Sequence, residues 1–259
     1  MNTSLNSIHP EAIIGKNVKI GTFVTIEKNV IIGDDSIVYP NAVILEGSRI
    51  GKGCHIFPGA VIGGIPQDLK FRGEDTICEI GDYTSVRECA TINRGTASKG
   101  KTVVGSHCLL MAYSHTAHDC ILKDHVIIGN STQLAGEVEI DDYAILSGGA
   151  LVHQFTKIGK HVMIQGGSRL GKDVPPYVIV GREPVTYSGV NNVGLRRRGF
   201  TTEQIAMIQE IYRVLYHSGL NNTNAVKKIK EIFLPSKERD EILQFIEESQ
   251  RGIVRGYLD

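Results

Sequence analysis

The residues best suited to catalysis lie in the run His115-Thr116-Ala117-His118-Asp119-Cys120. Histidine is the natural general base near neutral pH, because its imidazole exchanges a proton in that range. The run also interrupts a regular pattern of aliphatic residues, and sites tend to be built where loops leave a rigid scaffold. These features indicate general-base chemistry at His118.

A repeat in the sequence, described below, connects His118 to two other positions. One full turn of this repeat after His118 comes Gly136, and a second turn leads to Gln154. Residues one turn apart are expected to lie one coil apart, at roughly 4.7–4.9 Å, so the three residues should form a ridge on the outer surface. Because Gly136 has no side chain, its backbone N–H would be open to a reacting carbonyl oxygen. The spacing thus predicts a base and an oxyanion donor as neighbours.

His153 lies two turns of the repeat after Ala117 and is expected to reach the same cleft. Three histidines from stacked coils, His115, His118 and His153, could also bind zinc. A zinc-dependent carbonic-anhydrase-like β-helix protein is therefore an alternative to a metal-free enzyme, and a structural solenoid without activity is a third. Three further histidines share one outward position of the repeat and are weaker candidates: His107, His125 and His161.

Aliphatic residues recur at every sixth position from Ile8 to Leu170. Of the 28 positions in this register, four carry other residues, which leaves 24 aliphatic ones; the exceptions are Asp68, Glu74, Ser98 and Thr116. A period of six fits neither an α-helix nor an alternating strand, whereas it is typical of a parallel β-helix. Three hexads would make one coil, with the periodic side chains stacked along its axis.

The pattern predicts an all-β domain over 1–176 and a small α-helical domain over 201–259, joined by an irregular connector over 177–200. A loop is inserted near 64–78, where the register carries charged residues. We interpret the shorter break at 97–102 as a solvated turn without chemistry. Thr201 and Gln204 form a capping box that begins a helix ending before Gly219, and two shorter helices are expected at 223–233 and 237–250.

The composition excludes several classes of function. Basic and acidic residues number 28 each, so no net field favours nucleic acid as a partner. No run of about 18 apolar residues predicts a transmembrane segment, and the first ten residues lack a signal-peptide pattern. A cytoplasmic protein is expected. Four cysteines fall at a small-residue position of the repeat and are predicted to fill the core: Cys54, Cys78, Cys108 and Cys120.

Several motifs in a fixed order make the chain resemble the UDP-N-acetylglucosamine O-acyltransferase family, which begins lipid A biosynthesis. The matching segments, besides 115–120, are 67–70, 92–96, 152–155, 173–177, 189–191 and 197–200. The resemblance implies a left-handed β-helix, an exception to the usual right-handed crossover. It also implies a homotrimer with active clefts between subunits.

The resemblance further implies the transfer of an (R)-3-hydroxyacyl group from acyl carrier protein to the 3-hydroxyl of UDP-N-acetylglucosamine. The donor is a thioester of the phosphopantetheine carried by acyl carrier protein. No metal and no tightly bound cofactor are expected.

By this resemblance, His118 is the general base, Asp119 orients its ring and Gly136 donates to the oxyanion. Gly166 matches the position that measures acyl length, and a glycine there predicts a long donor. The substrate-binding residues it implies are Asp68, Lys70, His115, His153 and Gln154 toward the sugar nucleotide, and Asn191, Arg197 and Arg198 toward the uridine and phosphates. A guanidinium fork suits a diphosphate better than lysine does.

Two positions depart from the family pattern. Glu137 stands where well-known members carry a histidine that contacts the acceptor, and Val193 stands where an acidic residue is common. The acceptor group on the third carbon of the sugar could therefore be a hydroxyl or an amine. Another hexapeptide acyltransferase with a different sugar-nucleotide acceptor is a further alternative. The N-acyltransferase acting later in the pathway fits less well, because its repeats follow a separate domain, whereas here the register starts at Ile8.

Overall fold

The computed structural model describes residues 5–256, which form 27 strands and four helices. The ends of the first and last predicted domains, residues 1–4 and 257–259, lie outside the described residues. All but the last two strands wind into a three-sided prism. Each side is a sheet of parallel strands, named A, B or C here, and the last two strands, β26 and β27, extend sheet C.

Sheet A contains β1 (Ser7–Ile8), β4 (Thr25–Ile26), β7 (Val43–Ile44), β10 (Val61–Gly64), β13 (Thr91–Asn93), β16 (His115–Thr116), β19 (Gln133–Leu134), β22 (Leu151–Val152) and β25 (Arg169–Leu170). Sheet B contains β2 (Ile13–Ile14), β5 (Ile31–Ile32), β8 (Ser48–Ile50), β11 (Ile77–Ile80), β14 (Lys101–Val104), β17 (Ile121–Leu122), β20 (Glu139–Ile140) and β23 (Lys157–Ile158). Sheet C contains β3 (Lys19–Ile20), β6 (Ile37–Val38), β9 (His55–Ile56), β12 (Ser85–Val86), β15 (Leu109–Leu110), β18 (Ile127–Ile128), β21 (Ile145–Leu146), β24 (Met163–Ile164), β26 (Val178–Gly181) and β27 (Thr186–Val190).

The six-residue period arises because each coil crosses all three sheets. Residues one coil apart pair along a sheet, as Ile8 does with Ile26. Their side chains point inward, so that Ile26, Ile44 and Ile62 are almost completely buried. Thr116, an exception to the aliphatic pattern, keeps the same inward position and is buried too. The four cysteines predicted to lie in the core are also buried, which confirms their space-filling position.

Two insertions leave the prism at one corner, between sheets A and B. An uninterrupted coil would pair Val61 with position 79, but Val61 pairs with Thr91, so the first insertion lengthens the coil by two hexads after β10. Thr91 would in turn pair with position 109, but it pairs with His115, so the second insertion adds one hexad after β13. The next strand of sheet A, β16, ends shortly before His118. Both insertions therefore lie on the same edge of the prism as the candidate base.

The prediction of an irregular connector over 177–200 is wrong. Strand β26 pairs with β24 and so extends sheet C, and β27 returns antiparallel to it. The last coil would otherwise leave the backbone groups along β24 without partners, and Val178 to Gly181 supply them. The sequence alternates accordingly, since Val178 and Val180 are buried. The paired prolines before Tyr177 redirect the chain without ending its regular structure.

Four helices follow the hairpin: α1 (Asn192–Arg197), α2 (Thr202–His217), α3 (Asn222–Ile232) and α4 (Lys237–Glu248). The predicted capping box of α2 is present, because the Thr201 hydroxyl accepts from the Gln204 N–H and the Gln204 side chain accepts from the Thr201 N–H. Helix α2 buries Ile205, Ile208 and Tyr212 along one face. Within residues 5–256, no helix is long and apolar enough to span a membrane.

Candidate active site

His118 and Asp119 form a hydrogen-bonded pair at the corner between sheets A and B. The ring Nδ1 lies 2.8 Å from Asp119 Oδ2. An ionised carboxylate only accepts hydrogen bonds, so the proton of the neutral imidazole resides on Nδ1. Nε2 is then left as the basic nitrogen. The His118 ring is 18% exposed, whereas the Asp119 carboxylate is completely buried. A substrate can therefore reach the imidazole but not the carboxylate.

Asp119 is held in its ionised form. Burial disfavours the charge, but hydrogen bonds from Thr96, His118 and the Lys99 backbone outweigh it and hold the pKa of the carboxyl below its usual range. The Thr96 hydroxyl donates to Oδ2 over 2.6 Å and the Thr96 N–H donates to Oδ1 over 3.0 Å. The aspartate therefore keeps the imidazole in one tautomer.

The second insertion supplies these contacts, so the interpretation of 97–102 as a solvated turn is wrong. The Lys99 N–H donates to Asp119 Oδ1 over 3.2 Å, and the Thr102 hydroxyl accepts from the Asp119 N–H over 2.8 Å. Thr96, one residue before the break, is itself buried. One clue was available in the sequence: the break inserts one extra hexad into the coil that precedes His118.

Gly136 lies directly beneath the imidazole, as the repeat spacing predicts. A Cβ atom at this glycine would stand 2.6 Å from His118 Cε1 and 2.7 Å from Nε2, too close for the ring to remain in place. The two neighbouring backbone N–H groups are already hydrogen-bonded: Ala135 donates to the Val152 carbonyl and Glu137 donates to the His118 carbonyl. In the described part of the chain, nothing accepts the Gly136 N–H. A basic nitrogen and a free backbone donor thus lie together.

These groups line a groove of about 660 Å³ on the outer face of sheet A. His115, His118, Gly136, His153 and Gln154 all contribute to its wall, so five of the predicted site residues meet there. The sequence reasoning did not single out three other wall residues with polar side chains: Gln67, Gln133 and Arg169. Each of the last two follows the outward position of His115 by a whole number of coils, which is the pattern that could have identified them.

His115 is fixed within the groove by a hydrogen bond of 2.7 Å between its Nδ1 and the Thr91 hydroxyl. Burial, reinforced by the nearby His118, lowers its pKa. His115 is therefore suited to hydrogen bonding as a neutral ring. The His153 ring lies at the exposed rim, with Nδ1 3.0 Å from the Gln154 carbonyl oxygen.

Asp68 and Lys70 lie on the first insertion, at the same corner as His118. The Asp68 carboxylate accepts from the Lys70 N–H over 2.9 Å, which shapes a turn at the tip. Leu69 between them is 95% exposed. Neither charged residue lines the groove of its own chain, although Gln67 of the same loop does.

Asn191, Arg197 and Arg198 lie away from this groove. Asn191 caps α1, because its side chain accepts from the Gly194 N–H and donates to the His161 carbonyl. The Arg198 guanidinium lies 4.0 Å from the centroid of the Tyr143 ring, at the corner between sheets B and C. The structure of one chain therefore does not bring these three residues together with His118.

Tyr143 belongs to a ladder of stacked rings along that corner: Tyr83, His107, His125, Tyr143, His161 and Tyr177. Successive centroids are 4.5–5.7 Å apart, the distance of offset stacking. The three histidines that share an outward position are thus explained by packing. The ladder fixes the corner to which Arg198 is attached.

His161 is expected to make the protein less stable in mild acid. Burial, together with the positive charges of Arg198 and Lys160, lowers its pKa to about 4. In the unfolded chain the value is about 6.5. As the pH falls from about 6.5 toward 4, this histidine is protonated in the unfolded state but not in the folded state. The free energy of unfolding therefore decreases across that window. His161→Phe should keep the stack and reduce the fall in melting temperature between pH 7 and pH 5. An equal fall in both proteins would contradict this.

Glu137, which replaces the expected histidine, is tied to the second insertion. Its carboxylate accepts from the Ser98 hydroxyl over 3.0 Å. Val193 lies on α1 and is 61% exposed.

Among residues 5–256, no group of three or more His, Cys, Asp or Glu side chains is arranged to hold a metal ion.

Two family models match the chain. One, described as UDP N-acetylglucosamine O-acyltransferase, domain 2, covers residues 173–254, and the other, described as bacterial transferase hexapeptide (six repeats), covers 11–46 and 29–64. The acyl-[acyl-carrier-protein]–UDP-N-acetylglucosamine O-acyltransferase of Thiobacillus denitrificans is 42% identical over 201 residues, which is 77% of this chain and 78% of that protein.

Solved structures give the same result. A UDP-N-acetylglucosamine acyltransferase from Bacteroides fragilis superposes with a TM-score of 0.97 at 55% identity, covering 98% of this chain and 100% of that one. The enzyme from Francisella novicida gives a TM-score of 0.94 at 42% identity, covering 97% and 93%. These matches confirm the predicted left-handed β-helix with a small helical domain and do not favour the carbonic-anhydrase alternative. The chain belongs to the UDP-N-acetylglucosamine O-acyltransferase family.

Proposed function

We propose that this protein transfers an (R)-3-hydroxyacyl group from acyl carrier protein to the 3-hydroxyl of UDP-N-acetylglucosamine, the first step of lipid A biosynthesis. The observation that carries the proposal is the His118 imidazole held over Gly136, with its Nδ1 bonded to a buried carboxylate. Family membership supports the acyltransferase class, since the name of the Thiobacillus denitrificans relative specifies this donor protein and this acceptor.

In the proposed reaction, His118 Nε2 removes the proton of the sugar hydroxyl as that oxygen attacks the carbonyl carbon of the thioester. The carbonyl oxygen becomes negative and is stabilised by the Gly136 N–H. The C–S bond then breaks, and the thiolate of the phosphopantetheine takes the proton from the imidazolium. Asp119 stabilises the transient charge on the ring without taking its proton. The new ester and the free thiol are the products.

We propose that the active protein is a homotrimer with its clefts between subunits. Within one chain, the arginine-bearing corner and the groove of His118 occupy different edges of the prism, so one sugar nucleotide would not reach both. In addition, the outer face of sheet C carries a stripe of half-buried apolar side chains that a neighbouring chain could cover: Leu109, Ile127, Ile145, Met163 and Ile179. A mass measurement in solution tests this part of the proposal. The expected cytoplasmic location belongs to the same proposal.

The proposal includes binding roles for two groups of residues. Those toward the sugar are Asp68, Lys70, His115, His153 and Gln154, and those toward the uridine diphosphate are Asn191, Arg197 and Arg198. Asn191 already has both polar groups of its side chain engaged, so its contribution would be to hold the start of α1 in place. The two arginines carry charges suited to phosphate oxygens.

One assay tests the activity. The purified protein is given UDP-N-acetylglucosamine and a panel of 3-hydroxyacyl thioesters of acyl carrier protein, and the acylated nucleotide is measured by mass spectrometry. A matched acceptor with an amine on the third carbon of the sugar tests the departure at Glu137. Formation of neither product would refute the proposal. Metal analysis of the active preparation distinguishes the zinc alternative, which requires a stoichiometric ion.

Gly166→Met is expected to shift the donor preference toward shorter acyl chains. Gly166 lies at the corner that leads into β25, whereas His118 lies at the other edge of sheet A. The far end of a long acyl chain bound across this sheet would reach Gly166. A Cβ atom there would stand 3.1 Å from the Gly148 carbonyl oxygen, so a larger side chain must extend outward from the corner. Gly166→Ala serves as the control with little added bulk. An unchanged preference across the donor panel would reject this role.

A further inference from the structure

The second insertion, between β13 and β14, folds back onto the Asp119 carboxylate. Three donors of this segment reach the carboxylate: the Thr96 N–H at 3.0 Å, the Thr96 hydroxyl at 2.6 Å and the Lys99 N–H at 3.2 Å. Thr96 and Asp119 are both buried, at 7% and 0% exposure. Water therefore cannot easily replace a contact that is lost.

The hydroxyl of Thr96 has a position that no other group in the segment shares. It donates to Oδ2, the same oxygen that receives His118 Nδ1, whereas the two backbone donors reach Oδ1. It also accepts from the Ser98 N–H over 3.2 Å, which fixes its rotamer. These two contacts hold the hydroxyl in the position from which it donates to Oδ2.

The segment is anchored independently of Asp119. The Thr76 hydroxyl donates to the Gly95 carbonyl over 2.6 Å, and the Lys99 ammonium pairs with Glu139 over 2.9 Å. Anchors on both sides of Thr96 allow the segment to orient the carboxylate instead of merely following it. Thr96 does not line the groove, so any effect on a substrate must pass through Asp119 and His118.

We propose that Thr96 is a positioning residue for the acyl transfer: it orients the Asp119 carboxylate and, through it, the His118 imidazole over Gly136. This inference rests on the proposed function. A charge-assisted hydrogen bond in a buried site fixes geometry more firmly than a neutral one. Small misplacements of a catalytic group have large effects on rate.

The test is Thr96→Val, which removes the hydroxyl and keeps the shape of the side chain. We expect kcat to fall about tenfold with KM for the sugar nucleotide within about twofold, and Thr96→Ser to restore most of the rate. In an Asp119→Asn background, Thr96→Val should cause little further loss, because coupled residues are not additive. Thr84→Val is the matched control, since the Thr84 hydroxyl is equally buried and also makes one donated and one accepted bond, far from the groove.

Three outcomes would overturn the inference: wild-type kcat in Thr96→Val, an equal loss in Thr84→Val, or a full additional loss in the Asp119→Asn background. A wild-type protein without activity would instead refute the proposed function. In that case a crystal structure of Thr96→Val still tests the positioning role. An unchanged Asp119 rotamer and an unchanged distance between His118 Nδ1 and Asp119 Oδ2 would exclude it.

Discussion

Replacing His118 by alanine is expected to lower kcat by about 10²- to 10⁴-fold, the usual contribution of a general base. The ring projects into the groove, and the three atoms nearest to a Cβ built at Gly136 all belong to His118, so its removal takes away the base closest to that backbone N–H. The two other groove histidines are engaged elsewhere: His115 Nδ1 is bonded to the Thr91 hydroxyl, and His153 Nδ1 lies 3.0 Å from the Gln154 carbonyl oxygen. The His118 side chain is partly exposed, so the prism should stay folded. Turnover with the best acyl carrier protein donor measures the effect.

The control for this variant is His217→Ala, at the exposed end of α2 and distant from sheet A. It should keep the wild-type rate. Circular dichroism and melting temperature show whether His118→Ala retains its fold. Near-normal turnover in a folded His118→Ala protein would remove the base from the mechanism.

Gly136→Ala is expected to reduce kcat by about 10²-fold, because a displacement of about 1 Å in a catalytic group is enough for an effect of this size. The change adds only a methyl group. That methyl would lie 2.6 Å from His118 Cε1, so the imidazole must swing away from its position over the backbone N–H. The glycine does not lie in the left-handed region of backbone space, so the variant should fold. Turnover in the same donor assay measures the loss.

Gly171→Ala separates displacement of the ring from crowding of the groove. Gly171 lines the same groove, but a Cβ there would meet no atom within 4 Å. Its effect on kcat should be much smaller. Equal losses in the two variants would mean that the groove, and not the ring over Gly136, is sensitive to the added methyl. A crystal structure of Gly136→Ala should show the imidazole rotated.

The sequence predicts the prism well because its winding is local. A six-residue period determines which side chains point inward, and a step of three hexads then fixes neighbours along an edge, which is why Gly136 could be assigned to His118 in advance. The period cannot predict where an inserted segment goes. Thr96 and Lys99 reach Asp119 because the insertion folds back over the next coil, a matter of tertiary contacts that no repeat encodes.

The C-terminal part illustrates the same limit. The capping box at Thr201 is a short-range pattern and was predictable, whereas β26 forms because β24 needs a partner for its outer edge. The family resemblance implies that Asn191 contacts the uridine and phosphates of the nucleotide. In the structure its side chain caps α1 and bonds to the His161 carbonyl. A single side chain can serve a helix terminus and a neighbouring coil at once, and only the assembled structure reveals that both its polar groups are occupied.

The two ends of the prism differ in how they are finished. At the C-terminal end, β26, β27 and the helices cover the last coil, whereas in the part of the chain seen here β1 has a paired neighbour on one side only. Ile8 is accordingly 40% exposed, while Ile26 one coil further on is buried. In a solenoid each coil is stabilised mainly by its nearest neighbours. The coils that carry His118 and Gly136 have a paired coil on both sides, so their amides should exchange slowly and keep the base and the backbone donor in register.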